Sequence, residues 1–440
     1  MARKDRSRPN ILFLFPDQWR FDWLGSNPAI PVRTPNLDGL QSRGLTFTRA
    51  ISPSPLCAPC RACLASGMEY ERCGAPENAD DYPLNRPTFY GLLRESGYHV
   101  AGCGKFDLNK GMCTTRQSAW GLDGKRFLRE WGFSDGINNE GKMDGVNSGR
   151  DTPRGPYLKY LDELGLRETH VADFDARSRK RDATFPTPLS EEAYCDNWVA
   201  RNGLQLLASA PPGSPWFLQV NFTGPHPPWD ITEEMAGLYA DVEFPVPAER
   251  GNVSPEGHQA VRRNYSAMIE NIDRWIGAYL EAVEQRGELT NTAIVFSSDH
   301  GEMLGDRGLW GKTHPYQPSV GVPLIISGPG VRSGETCDLP STILDLAATF
   351  LDWGGVPVPD DMDSRSLTGL LAGETGDHRP CVRSGYRDWR LAFDGRYKLI
   401  DGLEEGRSLY DHENDPSETV NLSGDPELLG VVDELSQHPR

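Results

Sequence analysis

The stretch Asn10-Ile11-Leu12-Phe13-Leu14-Phe15-Pro16-Asp17-Gln18 decides the fold. Its apolar run, Asn10–Phe15, lacks the alternation of a half-exposed strand, and Pro16-Asp17 ends it. Such a run reads as a strand buried on both faces, as in a parallel sheet covered by helices. Its carboxyl end delivers two polar residues. The same figure recurs along the chain. Tyr98–Cys103 runs into Gly104-Lys105, Trp216–Phe222 into a Thr-Gly-Pro-His ending at His226, and Ala293–Ser297 into Ser298-Asp299-His300.

Helical spans separate these strands. Thr34-Pro35-Asn36 opens a short capped helix that stops at Gly44, and Pro87–Ser96 and Pro188–Ala210 read as helices. His258–Arg286 carries an amphipathic pattern through Tyr265, Met268, Ile269, Ile272, Ile276, Leu280 and Val283. Val322–Ile326 and Ser341–Leu351 give one more strand and helix. Residues 106–188 are rich in Gly, Asp, Arg and Lys without clear period, which predicts long loops and short helices.

Alternation of this kind predicts an α/β fold with a largely parallel central sheet and helices on both faces. Ligands in such sheets bind beyond the carboxyl ends of the strands, where Asp17-Gln18, Lys105, His226 and Asp299-His300 fall. The segment Gly354–Asp377 is rich in Pro, Gly and Asp. Beyond it, residues 381–402 read as short antiparallel strands with a turn at Asp394-Gly395. The expected organisation is a catalytic domain over 1–355 and a small C-terminal α+β subdomain with an antiparallel sheet over 356–440.

Composition narrows the function. The 440 residues are 38% hydrophobic and 25% charged, ordinary for a soluble globular chain. With 45 Lys+Arg against 63 Asp+Glu, the formal net charge is −18. That field repels nucleic acid and anionic membrane, so neither is an expected partner, and an anionic substrate needs a local basic pocket. The MARKDRSRPN terminus leads into too short an apolar run for a signal peptide, and no stretch approaches the ~20 apolar residues of a membrane span. A cytoplasmic location is the expectation.

Nine cysteines include a cluster, Cys57, Cys60 and Cys63. A reducing compartment argues against a disulfide framework. One reading is a Cys-bearing turn entering a buried helix. A second is a metal-binding module, because C-x-x-C-x-x-C opens like an iron–sulfur run, although Gly67 stands where its fourth Cys belongs. A zinc site would need a further Cys or His pair nearby. The third reading is a resemblance: Cys57-x-Pro59-x-Arg61, followed by Ser66-Gly67, resembles the signature of the sulfatases.

Other segments extend that resemblance in the family's order, from residue 9 to about residue 422. Pro9–Leu12 through Asp17-Gln18 looks like the first metal-binding strand, and Asp299-His300-Gly301-Glu302 with Leu304-Gly305 like the second. Pro225-His226-Pro227 is similar to the segment bringing a catalytic His, and Gly308–Lys312 to that bringing a catalytic Lys. Ser408–Asp411 with Asn414-Asp415-Pro416 resembles the closing motif. The Asp-Gln and Asp-His pairs are closer to choline sulfatases and phosphonate monoester hydrolases than to the commoner Asp-Asp and Asp-Asn forms.

The resemblance implies an alkaline-phosphatase-like fold and hydrolysis of a small sulfated substrate. A formylglycine-generating enzyme would oxidise Cys57 to formylglycine. Its hydrate, a gem-diol, would use one hydroxyl to attack sulfur and the other to expel sulfate. Asp17, Gln18, Asp299, His300 and the modified Cys57 would hold one divalent cation. Ca²⁺ is the first expectation and Mn²⁺ the alternative, since only two of the four unmodified side chains are anionic and imidazole suits softer ions. Arg61 would hold the formylglycine hydroxyl, Lys105 and Lys312 would clamp sulfate oxygens, and His226 would protonate the leaving alcohol or bind sulfate. Asn78 is a substrate-binding candidate; Arg307 and His314 are candidates for the pocket wall.

Two positions depart from the family. Cys60 stands where Ser is usual. Gly104-Lys105-Phe106-Asp107 replaces the usual Gly-Lys-x-His, which makes Asp107 the candidate base that closes the cycle. The main rival is a phosphodiester or phosphonate monoester hydrolase using the same groups; the two lysines favour sulfate. A homo-oligomer is left open.

Overall fold

The computed structural model describes residues 8–115, 120–178, 180, 182–247, 251–374 and 378–437. The basic terminus 1–7 and positions 375–377 of the Pro/Gly/Asp-rich stretch lie outside the described residues. In chain order the strands are β1 (Asn10–Leu14), β2 (Gly44–Phe47), β3 (Ala50–Ile51), β4 (His99–Gly104), β5 (Asp135–Asn138), β6 (Trp216–Asn221) and β7 (Thr292–Ser297). They continue with β8 (Leu324–Ser327), β9 (Glu335–Cys337), β10 (Ser341–Thr342), β11 (Val382–Tyr386), β12 (Trp389–Phe393), β13 (Tyr397–Leu403) and β14 (Gly406–Asp411).

The central sheet has eight strands in the order β5-β4-β6-β1-β7-β8-β2-β9. β5, β4, β6, β1 and β7 run parallel. β1 lies in the middle, as its unbroken apolar run requires. Ile11, Phe13 and Phe15 face one core, packed with the helices Cys57–Ser66, Phe89–Glu95 and Leu346–Trp353. Leu12 and Leu14 face the other, packed with Pro35–Ser42, Cys195–Ser209 and Pro255–Gln285. The expected α/β sheet covered on both faces is therefore present.

Differences from the sequence reading have local causes. β8 runs antiparallel to both β7 and β2. The segment between β7 and β8 carries site residues and only the four-residue helix Gln317–Val320. Without a full crossover helix to carry the chain back along the sheet, the next strand returns antiparallel. The helix expected from Pro188 begins at Cys195; before it, Ser190 O accepts from Ala193 N and Tyr194 N, both at 3.0 Å, in a separate turn. The span Ser341–Leu351 opens as β10, paired with β3, before the helix Leu346–Trp353. β5 falls inside the stretch read as loops and short helices.

β11–β14 form a four-stranded antiparallel sheet. The expected turn is present: Asp394 Oδ1 accepts from Arg396 N and Tyr397 N, both at 2.7 Å, and Gly395 takes φ 100°. One face of this sheet joins the core beside Cys57–Ser66 through Tyr386, Leu391 and Phe393. The other packs Leu399 and Leu409 on Val432 and Leu435 of the helix Leu429–Gln437. No helix among the described residues is long and apolar enough to cross a membrane.

A buried charge cluster ties this sheet to the catalytic edge. Lys398 Nζ donates to Glu418 Oε1 at 2.8 Å and to Gln317 Oε1 at 2.7 Å, and both charged side chains are 0% exposed. Gln317 N donates to Glu418 Oε2 at 2.7 Å. Burial opposes ionisation of Glu418, but Lys398 and His412 outweigh it and pull its pKa from 4.5 down to about 2. A depressed carboxylate stabilises the fold above the unfolded value and loses that contribution as pH falls through the folded one. Glu418→Gln should strand Lys398 and cost about 3–5 kcal/mol in denaturant unfolding at neutral pH. The difference from wild type should shrink as pH falls from 4.5 towards 2, the interval between the two values.

Candidate active site

Four adjacent strands, β4, β6, β1 and β7, end at one edge of the sheet, and each releases a chemical group there. β1 releases Asp17 and Gln18, β4 releases Lys105 and Asp107, β6 is followed by His226, and β7 by Asp299 and His300. The chain must turn sharply at these exits: Gln18 takes φ 67° and Asp107 φ 54°. Gly104 is needed in its place, because a Cβ there would fall 1.9 Å from Asn221 O on β6, and its φ is 105°. Asp196, in the first turn of its helix, holds the loop after β6 by accepting from Thr223 N at 2.6 Å and Gly224 N at 3.1 Å.

Cys57 begins the helix Cys57–Ser66, whose N-terminus meets this edge. Its sulfur lies 3.4 Å from His300 Nε2, 3.7 Å from Asp17 Oδ1 and 2.9 Å from Lys312 Nζ. Asn78 Oδ1 accepts from Ala58 N at 3.0 Å, so it caps the turn that presents Cys57. Potential ligand atoms of Asp17, Cys57, Asp299 and His300, all buried, lie within 4.8 Å of one another. Gln18 Oε1 joins them through Lys312 Nζ, 2.8 Å away. His300 Nδ1 lies 3.0 Å from Gly301 O, which orients the ring with Nε2 towards Cys57. Two carboxylates, an amide oxygen and an imidazole nitrogen form a donor set that fits a divalent cation.

Charge is balanced pair by pair. Asp17 is paired with Lys105, and Asp299 Oδ2 takes Arg61 Nε at 3.0 Å and Nη2 at 2.9 Å. Burial alone would raise the Asp17 pKa; Lys105, His226, Lys312 and Arg61 instead hold it well below the usual carboxylate range. Burial and Asp17 push the Cys57 thiol up, and Lys105, Lys312 and His300 more than reverse this. Asp107 Oδ2 lies 3.1 Å from Lys105 Nζ and 3.0 Å from Lys110 Nζ, and these lysines outweigh burial to keep it ionised. Asp107 Oδ1 is buried and has no hydrogen-bond partner. His226 Nδ1 sits 2.5 Å from Pro227 O, and burial and Lys312 lower its pKa.

The structure thus brings Asp17, Gln18, Cys57, Arg61, Lys105, Asp107, His226, Asp299, His300 and Lys312 to one edge, with Asn78 beside Cys57. Arg61 reaches Asp299 and, through Nη1, Lys105 O at 2.5 Å. Arg307 lies away from this cluster: its guanidinium stacks on Tyr316 at 4.0 Å. The three clustered cysteines diverge. Cys57 faces the site, Cys60 lies 3.3 Å from Ser52 Oγ, and Cys63 meets Cys73. Among the described residues they do not form a shared metal site.

Sequence reasoning placed Glu302 in the second metal motif without a role of its own, and missed Lys110, Lys142 and Asp144. Lys142 Nζ holds Asp230 Oδ1 at 2.8 Å behind the His226 loop. A cavity of about 50 Å³ beside Asp17, Lys105 and His226 is completed by Lys110, Lys142, Met143, Asp144 and Thr223. These wall residues come from an aperiodic stretch, so no sequence pattern marked them. A larger cavity of about 350 Å³ lies against the C-terminal sheet, near Glu69 and Arg383, and contains none of the clustered residues.

With this geometry established, comparison with known proteins is informative. The family model described as Sulfatase matches residues 9–356, and one described as N-sulphoglucosamine sulphohydrolase, C-terminal, matches 305–439. An arylsulfatase of Clostridium perfringens is 26% identical, covering 97% of this chain and 93% of the relative. A choline-sulfatase of Rhizobium meliloti is 27% identical, covering 98% and 85%. The crystal structure of a phosphonate monoester hydrolase of Agrobacterium radiobacter superposes with a TM-score of 0.79 at 24% identity, covering 98% of this chain and 95% of that one, and supports the shared fold. The chain belongs to the sulfatase family, sulfuric ester hydrolases built on the alkaline-phosphatase-like fold.

Proposed function

We propose that the protein hydrolyses the sulfate ester of a small polar alcohol, with Cys57 converted to formylglycine by a formylglycine-generating enzyme. Asp17, Gln18, Asp299 and His300 would hold one divalent cation, Ca²⁺ or Mn²⁺. Formylglycine supplies, in its hydrated form, the hydroxyl that attacks sulfur, and the cation supplies a Lewis acid. The observation that carries this reading is the position of Cys57: a buried side chain at a helix N-terminus, between the Asp17/Asp299/His300 group and Lys312.

The remaining chemistry belongs to the chain. Lys105 and Lys312 flank position 57 and place positive charge where sulfate oxygens would lie. Arg61 sets a guanidinium against Asp299, so the second buried carboxyl beside Asp17 also has its own counter-charge. His226, with Nδ1 against Pro227 O, would bind a sulfate oxygen or, once its ring is protonated, pass the Nε2 proton to the leaving oxygen. Asp107 is held ionised by two lysines, and its unpartnered Oδ1 would accept the proton of the hydroxyl that expels sulfate.

The rival is a phosphodiester or phosphonate monoester hydrolase, suggested by the Asp-Gln and Asp-His donor pairs. Parallel kcat/KM measurements on an aryl sulfate and an aryl phosphodiester separate the two. The sulfate should be turned over faster; diester turnover faster by orders of magnitude would overturn the sulfatase reading. Asp107→Asn should leave the first turnover near wild type and slow steady-state turnover by about 10²–10⁴-fold. Rapid-quench kinetics reads both phases, and an equal loss in both would remove Asp107 from the base role.

A further inference from the structure

Glu302 carries a carboxylate that is 0% exposed. Its hydrogen bonds come from neutral N–H groups: Leu304 N at 3.1 Å and Gly311 N at 2.5 Å on Oε1, and Gln18 Nε2 on Oε2. Burying a carboxylate among neutral donors is costly. A neutral glutamine could serve the two backbone donors equally well through its oxygen. What only the carboxylate offers is two acceptors and no donor.

That property acts on Gln18. The Gln18 amide is gripped from both ends: Glu302 accepts from Nε2, and Lys312 Nζ, which can only donate, lies 2.8 Å from Oε1. The same Nζ is 2.9 Å from Cys57 Sγ, so the amide oxygen points into the site. An amide nitrogen carries no lone pair for a cation, so a flipped Gln18 would be lost as a ligand. The backbone of Gln18 is already fixed by its N–H to Asp299 Oδ1 at 3.0 Å and its carbonyl to Tyr265 Oη at 2.7 Å. The remaining freedom is the flip of the amide, and Glu302 and Lys312 oppose it from its two ends. Through Gly311 N the same carboxylate also anchors the residue before Lys312.

We propose that Glu302 is a positioning residue that locks the Gln18 amide with its oxygen towards the cation. The inference rests on the divalent-cation reading above. The test is Mn²⁺ titration into chelator-treated full-length protein, followed by electron paramagnetic resonance, with thermal melting of the metal-free protein as the folding check. Glu302→Gln can donate as well as accept, so only Lys312 still opposes the flip of Gln18, and the Mn²⁺ Kd should rise about 10–100-fold. The exchange variant Gln18→Glu with Glu302→Gln presents a carboxylate whose two oxygens are equivalent and restores the hydrogen bond with reversed polarity. It should bind Mn²⁺ more tightly than Glu302→Gln by a larger factor than Gln18→Glu gains over wild type, a coupling that a merely structural role would not give. If Glu302→Gln does not fold, Glu302→Asp, which withdraws the oxygen from Gln18 but keeps the charge, carries the same expectation. An unchanged Kd in the Glu302→Gln variant, or no such coupling in the exchange, overturns the assignment. A wild-type protein that takes up no Mn²⁺ or Ca²⁺ overturns the cation reading itself, and this assignment with it.

Discussion

Asp17 and Asp299 are carboxylates with no exposure to water, a few ångströms from the same sulfur. Two like charges in so dry a place cannot both stay ionised unless each has its own cation. Lys105 answers Asp17 and Arg61 answers Asp299, and much of the architecture exists to bring those four side chains together. Lys105 leaves the strand beside β6, Arg61 lies one turn into the helix that presents Cys57, and the acids leave β1 and β7. The pairs are linked, because Arg61 also binds the carbonyl of Lys105. A chain with a net charge of −18 thereby brings Lys105, Lys110 and Lys142 to the wall of one cavity beside Asp17 and His226.

The fold supports that pocket from behind. Gly301 N donates to Ser319 O at 2.8 Å, so the segment 316–321 backs the Asp299-His300 turn. Gln317 in that segment is held by Lys398 of β13 and by Glu418 of the segment that follows β14. Trp389 Nε1 donates to Thr313 O at 3.1 Å, beside Lys312. The C-terminal sheet is thus part of what positions this edge of the central sheet, and its core is continuous with that of the helix bearing Cys57.

What could be read from the sequence follows from which interactions are local. β1, β4, β6 and β7 were legible because each is an apolar run that ends abruptly in polar residues, and that contrast needs no knowledge of neighbours. The direction of β8 was not legible, since it depends on how the chain returns from the site loop. β5 is half-buried and short, without a distinctive period. The site divides in the same way. Asp17, His226 and His300 sit at strand exits, whereas Lys110, Lys142 and Asp144 enter the cavity from helical segments whose sequence carries no pattern. Glu302 was visible as a letter of the second metal motif, but its work on Gln18 spans 284 positions of chain and appears only in the folded molecule.

The central claim is that the nucleophile at position 57 is made by oxidising cysteine. Mass spectrometry of the tryptic peptide Ala50–Arg61, from active protein purified from its native host, tests it most directly. The account predicts that Cys57 has lost its sulfur and gained an aldehyde, while Cys60 in the same peptide remains a thiol. An intact thiol at Cys57 in fully active protein would contradict the account.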